Sequence, residues 1–268
     1  MPAHAALPDF GALVAPAAWQ AIDFISDLHL AEDTPRGFEA WSQYLLGTTA
    51  DAVFILGDLF EVWVGDDARA HGFEARCAAV LAEAAARRSI SLLVGNRDFL
   101  VGPAMLTACG VTPLTDPTVL GAFGTQVLLT HGDELCVADT AYQVFRAQVR
   151  SQVWQSDFLA RPLDERRSIA RDMREQSEQR KRTQAIETWV DVDASNALDW
   201  MRAARTPTLI HGHTHRPGSE LLAAGRVRHV LSDWELDHGP APRAEVLRWQ
   251  RSGFTRITPT AALAVAAG

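Results

Sequence analysis

Seven side chains in this sequence could do metal-assisted chemistry, and they arrive in ordered motifs. Asp27 and His29 lie in Phe-Ile-Ser-Asp-Leu-His, Asp58 in Ile-Leu-Gly-Asp and Asn96 in Val-Gly-Asn-Arg-Asp. His131 lies in Leu-Thr-His-Gly-Asp, and His211 and His213 in Ile-His-Gly-His-Thr-His. Each motif follows a short apolar run with strand character, so the seven can gather where the strands of one sheet end. Carboxylates, imidazoles and one amide oxygen together suit borderline divalent ions such as Mn²⁺, Fe²⁺ or Zn²⁺. The lack of cysteine among them argues against a structural zinc knot. A single His or Asp at a strand end is ordinarily a turn or cap residue, but seven in register point to a two-metal site.

The elements that must position them are legible as alternating periods. Residues 22–26, 52–56, 90–94 and 126–130 are short apolar runs. Between them, Phe38, Trp41 and Leu45, then Phe73, Val80 and Leu81, have helical spacing. This alternation predicts an α/β sandwich with helices outside and parallel pairing of the early strands. Residues 207–210, 219–223, 227–231, 244–249 and 253–258 read as later strands that complete a second sheet. Residues 140–203 read as almost wholly helical, with Phe145, Val149 and Val153 on one side. The core of such a sandwich does not need that much helix.

Composition bounds the rest. A chain of 268 residues, 47% hydrophobic, can bury a substantial core in one domain, read here as residues 21–260. Residues 1–20, with Pro2, Pro8 and Pro16, read as an extension expected to be disordered. They lack the basic start and continuous apolar stretch of a signal peptide, and residues 261–268 read as a tail. A net charge of −8 argues against a general nucleic-acid binder. Cys77, Cys109 and Cys136 show no pairing motif, which favours a reducing cytoplasm. No run approaches the roughly 20 apolar residues that span a bilayer. Residues 140–182 carry ten basic and six acidic side chains, interleaved with Tyr142, Phe145, Trp154, Phe158, Leu163, Ile169 and Met173. A ligand with both phosphates and hydrocarbon chains would need that mixture, although amphipathic helices that bury their apolar face have it too.

The five motifs, in this order, resemble the calcineurin-like metallophosphoesterases. The resemblance implies two mixed β-sheets flanked by helices, with residues of about 140–190 inserted as a helical cap over the metals. It implies that Asp58 bridges two ions about 3.5 to 4 Å apart, close enough to clamp an in-line phosphoryl displacement by an activated water. One ion would then take Asp27, His29, Asp58 and His213, and the other Asp58, Asn96, His131 and His211.

Longer blocks narrow the resemblance. Gly57 to Asp67 (Gly-Asp-Leu-Phe-Glu-Val-Trp-Val-Gly-Asp-Asp), Gly95 to Leu100, His131 to Cys136, Tyr142 to Arg150 and His211 to Pro217 are similar to the bacterial UDP-2,3-diacylglucosamine pyrophosphatases of lipid A biosynthesis. That family implies hydrolysis to UMP and 2,3-diacylglucosamine 1-phosphate by attack on the phosphorus nearest uridine. It implies two Mn²⁺ ions and peripheral attachment to the cytoplasmic face of the inner membrane. Asp58, Asn96, Arg97 and His29 would be the catalytic set; Asn96, Arg97, Asp139, Ser177, Lys181, Gln184 and His211 would contact substrate. Two departures stand out: Val137-Ala138-Asp139 keeps only the last of three polar residues, and Gln184 replaces a lysine. Lys181, the chain's sole lysine, either supplies that charge from one helical turn away or is simply solvated. Asp66, Asp67 and Asp98 read as loop carboxylates that support the site or cap a helix, and His215 as a supporting residue. The rival readings are a phosphoesterase for a soluble nucleotide and an inactive scaffold of the same fold.

Overall fold

The computed structural model describes residues 7–183, 190–239 and 241–264, with side chains to residue 174 in the helix that ends at 183. Strands β2 (Ala21–Ile25), β3 (Ala52–Leu56) and β4 (Ser89–Leu93) form the centre of one six-stranded sheet and pair in parallel. Each is buried on both faces, which explains why the sequence shows unbroken apolar runs there instead of alternation. Ile22, Phe24, Ala52, Phe54 and Leu56 point inward between the sheets. Ile25, Val53, Ile55, Ile90 and Leu92 point outward. There they meet α1 (Pro35–Gly47), α2 (Gly72–Ala85) and α3 (Pro103–Cys109) through Trp41, Tyr44, Leu45, Phe73, Cys77, Leu81 and Met105.

The second sheet runs β1 (Gly11–Val14), β6 (Thr118–Ala122), β7 (Thr125–Leu129), β8 (Thr208–His211), β10 (Arg226–Val230), β9 (Gly218–Ala223). Its Leu120, Val127, Leu129 and Ile210 close the inter-sheet core. Both sheets are mixed. The short β5 (Thr112–Pro113) sits at the edge of the first sheet beside β4.

Three features depart from the reading of the sequence. Strands β11 (Val246–Gln250) and β12 (Gly253–Ile257) were expected in the second sheet but join the first, β11 antiparallel to β2. The partner of a strand distant in sequence is set by packing, here by Trp249 between the sheets, and not by its own pattern. The extension expected at 1–20 contributes β1, paired in parallel with β6, and Trp19 packs against the inter-sheet core. The tail begins as α8 (Pro259–Ala264), whose Ala262 is buried.

After β7 the chain forms α4 (Thr140–Val149), α5 (Gln152–Leu159) and α6 (Leu163–Thr183). α7 (Ala194–Ala203), the last part of the helical stretch, instead covers the second sheet with Ala197, Trp200 and Met201. The insertion is joined to the rest by specific contacts. Phe158 is buried with the outer core, Trp154 stacks on it at 4.8 Å, and Phe99 meets Trp154 at 6.0 Å. Arg166, also buried, pairs with Asp67 and the Val64 carbonyl.

Candidate metal centre

The loops that leave β2, β3 and β4 carry Asp27 and His29, Asp58, and Asn96; the loop leaving β7 carries His131, while His211 ends β8 and His213 follows it. The seven residues therefore come from the ends of both sheets, and not from one as expected. Six of them, Asp27, His29, Asp58, Asn96, His131 and His213, nevertheless meet through direct contacts. Asp58 Oδ2 lies 4.0 Å from His29 Nε2, while Oδ1 lies 3.7 Å from His131 Nε2. Asn96 Oδ1 lies 2.9 Å from His131 Nε2 and 2.9 Å from His213 Nδ1. Asp27 accepts the His213 backbone N–H at 2.9 Å. The described residues hold two groups whose donor atoms lie close enough to hold an ion: Asp27, His29 and His215, and Asp27, Asp58 and His131.

The backbone here is strained. Asp27, His29, Asp58, His213 and His215 all have φ between 49° and 68°. Such left-handed conformations are uncommon for residues other than glycine and persist only where the surroundings enforce them. Two neighbouring glycines are required by space. A Cβ on Gly57, at φ +91°, would fall 2.4 Å from His131 Nδ1, and one on Gly95 would fall 2.1 Å from Asp58 Oδ1.

Buried carboxylates fix the loops. Asp98 accepts backbone N–H bonds from Gly95 at 2.7 Å and Leu59 at 2.8 Å, with Asp58 and Phe60 at longer range. It thereby ties the loop of Asp58 to the loop of Asn96. Asp66 accepts from the backbone of Gly102 and Met105 at the start of α3, while Asp67 holds Arg166 of the insertion. His131 sets its ring through Nδ1, 2.9 Å from the Leu56 carbonyl, leaving Nε2 to face the cluster. Asp133, two residues on, gathers Tyr142 Oη at 2.5 Å and Arg146 Nε at 2.9 Å from α4, with Arg150 Nη2 at 3.6 Å. Arg150 also donates to the Gly95 carbonyl at 2.9 Å.

The electrostatics suit cations. Burial pushes the Asp27 carboxyl up, but His215, His131 and His29 outweigh it and hold the group far below the usual carboxylate range. Burial pushes His131 down, yet Asp58, Asp133 and Asp27 raise it to about 9. Burial takes His211 to about 4 and, with the charge of His131, His213 to about 3. Burial and the neighbouring Asp58 raise Asp98 to about 6. His211 Nε2 is buried with no hydrogen-bond partner, an arrangement that is costly unless a ligand completes it. The neutral imidazoles of His211 and His213, the ionised Asp27 and the Asn96 amide oxygen are donor chemistry suited to a divalent ion, while the carboxylates that raise His131 show the negative field a cation would meet.

Other expected site residues are distributed differently. Arg97 donates its backbone N–H to Asp58 Oδ1 at 2.8 Å, and its guanidinium pairs with Glu61 at 3.3 Å. Asp139 is exposed and caps α4 by accepting the Tyr142 N–H at 3.0 Å. Ser177 and Lys181 lie on α6 with side chains outside the described residues, as does the whole of Gln184. His215 is nearer the cluster than its supporting role implies, with Nε2 3.2 Å from His29 Nε2 and 3.5 Å from Asp27 Oδ1. The sequence assigns no role to Asp233, 3.4 Å from His215 Nδ1, or to Asp133, Arg146 and Arg150. Asp133, Arg146 and Arg150 do lie in the His131–Cys136 and Tyr142–Arg150 blocks, but the blocks do not say which side chains meet, and Asp233 stands in no motif.

Residues 21–217 match the calcineurin-like phosphoesterase family, and the chain belongs to it. Its relatives include a Chromobacterium violaceum protein named UDP-2,3-diacylglucosamine hydrolase, 45% identical over 225 residues covering 82% of this chain and 92% of the relative. The Aromatoleum aromaticum protein of the same name is 42% identical, covering 86% and 93%, and that of Bordetella pertussis 39% identical, covering 85% and 91%. These identities, over nearly the full length of each relative, group the chain with the UDP-2,3-diacylglucosamine hydrolases.

Proposed function

We propose that this protein hydrolyses the pyrophosphate of UDP-2,3-diacylglucosamine, releasing UMP and 2,3-diacylglucosamine 1-phosphate in lipid A biosynthesis, by attack of water on the uridine-side phosphorus. The observation that carries the reading is Asp58, whose two oxygens face His29 on one side and His131 on the other, within a chain 39–45% identical to hydrolases of that name. In this reading Asp27, His29, Asp58 and His213 hold one Mn²⁺, and Asp58, Asn96, His131 and His211 the other. When bound, such a pair supplies Lewis-acid stabilisation of phosphoryl oxygens and makes water nucleophilic near neutral pH.

The chain's own residues do the rest. Arg97, placed by its backbone bond to Asp58, offers a planar fork of donors to the phosphate oxygens as their charge grows. The leaving group is a phosphomonoester whose conjugate acid is fairly strong, so it departs without a dedicated proton donor. In this reading Asn96 and His211 would contact substrate from the cluster, Asp139 from the turn after the His131 motif, and Ser177, Lys181 and Gln184 would be the contacts from the cap sequence. The basic balance of residues 140–182, in a chain of net charge −8, draws an anionic substrate to this end of the molecule.

The insertion also supports the acyl part of the substrate. Trp154, Phe158 and Phe99 form an aromatic group, while Val144 and Val153 are 71% and 73% exposed on α4 and α5. No helix among the described residues is long and apolar enough to cross a membrane. Attachment in this reading is peripheral, at the cytoplasmic face of the inner membrane, through exposed side chains such as Val144 and Val153.

Purified protein with Mn²⁺ should release UMP from UDP-2,3-diacylglucosamine. It should turn over the same nucleotide sugar without acyl chains far more slowly. Equal turnover of the two would contradict the lipid assignment.

A further inference from the structure

Glu61 lies in the Phe-Glu-Val-Trp block without a role in the hydrolysis as described. It is 12% exposed, and its two carboxylate oxygens are divided between two tasks. Oε2 faces His29 Nδ1 at 2.9 Å. Oε1 faces Arg97 Nη1 at 3.3 Å and Arg174 Nε, from α6, at 3.2 Å. The backbone holds it there: its N–H donates to the Leu30 carbonyl at 3.1 Å, and Leu30 and Phe60 form an isolated parallel bridge. One side chain thus touches the loop of the first cluster residues, the arginine that faces phosphate and the insertion.

We infer that Glu61 is a positioning residue whose Oε2 aims the His29 ring and whose Oε1 aligns Arg97 with the insertion. This rests on the proposed two-metal hydrolysis. An imidazole that ligates a cation needs its second nitrogen held by an acceptor, which fixes both the ring orientation and the nitrogen left to bind. With Nδ1 in a 2.9 Å ion-pair contact with Glu61 Oε2, the His29 nitrogen facing Asp58 and His215 is Nε2. On the other side, a guanidinium beside a carboxylate loses much of its rotational freedom before substrate arrives, which lowers the cost of binding phosphate in one geometry. Arg174 meets the same oxygen, so the position of α6 and that of Arg97 are set together.

The two tasks are separable by substitution. In Glu61→Ala both are lost. In Glu61→Gln the amide oxygen still accepts from His29, whereas the amide nitrogen is itself a donor and cannot accept from Arg97 and Arg174.

The test is calorimetric titration of metal-free protein with Mn²⁺ alone, followed by steady-state hydrolysis of UDP-2,3-diacylglucosamine. Glu61→Ala should weaken one of two Mn²⁺ sites about 10- to 100-fold and leave the other within a few-fold. Glu61→Gln should bind both ions within about 3-fold of the parent while kcat/KM falls about 10-fold or more, the loss that one charge-assisted contact brings. A Glu61→Ala titration that matches the parent would overturn the His29 assignment, and parental kcat/KM in Glu61→Gln would overturn that of Arg97. If Glu61→Ala does not fold, Glu61→Gln decides alone: retained Mn²⁺ affinity with lost turnover supports the inference, and parental turnover or equal loss of both defeats it. A parent protein that does not release UMP would count against the proposed function, while the Mn²⁺ arm would still decide the His29 assignment.

Discussion

Arg248 on β11 grips Asp23 on β2 through Nε at 2.7 Å and Nη2 at 2.8 Å, with both side chains buried. Tyr44 and Thr48 of the α1 region donate to the same carboxylate. The pair fastens the C-terminal hairpin to the strand that leads to Asp27 and His29. Removing one partner strands a buried charge, which typically costs about 3–5 kcal/mol. Arg248→Ala should therefore unfold at markedly lower denaturant concentration, while Mn²⁺ binding to the folded fraction stays near that of the parent.

Asp98 makes a prediction of the opposite kind. It touches backbone only in the loops of Asp58 and Asn96. Asp98→Ala leaves those buried N–H groups unsatisfied, each at a cost of about 1–3 kcal/mol if the loops do not rearrange. Relaxation of the loops should instead appear as roughly 10- to 100-fold weaker Mn²⁺ binding, measured by titration.

Buried neutral histidines predict a pH dependence for the metal-free protein. Burial lowers His211 from 6.5 to about 4, so the unfolded chain binds its proton first as pH falls. The stability contributed by neutral His211 is fully present above pH 6.5 and is lost as pH falls through about 4. His211→Asn should lose less stability than the parent across that window, measured by chemical denaturation at successive pH values.

The parts of this structure legible in sequence are those that local pattern determines. The runs that became β2, β3 and β4, the spacing of Trp41 and Leu45 on α1, and the motif order from Asp27 to His213 all follow from short-range rules. What was not legible depends on partners far along the chain. β1 is four residues flanked by prolines, and its pairing with β6 spans more than one hundred positions. The first-sheet membership of β11 depends on Asp23 and Trp249 finding their places. The role of Glu61 was not legible although it stands in the Gly57–Asp67 block, because a carboxylate flanked by apolar residues looks the same whether it faces solvent or His29.

The central claim is that seven residues from both sheets hold two cations astride Asp58. The most direct measurement is the Mn²⁺ stoichiometry of the parent and of Asp58→Ala, by calorimetric titration with metal analysis of the isolated protein. The account predicts two ions per parent chain and weakened binding at both sites in Asp58→Ala, because the shared ligand serves each. A parent that binds one ion or none, or an Asp58→Ala protein that holds two as tightly as the parent, would contradict it.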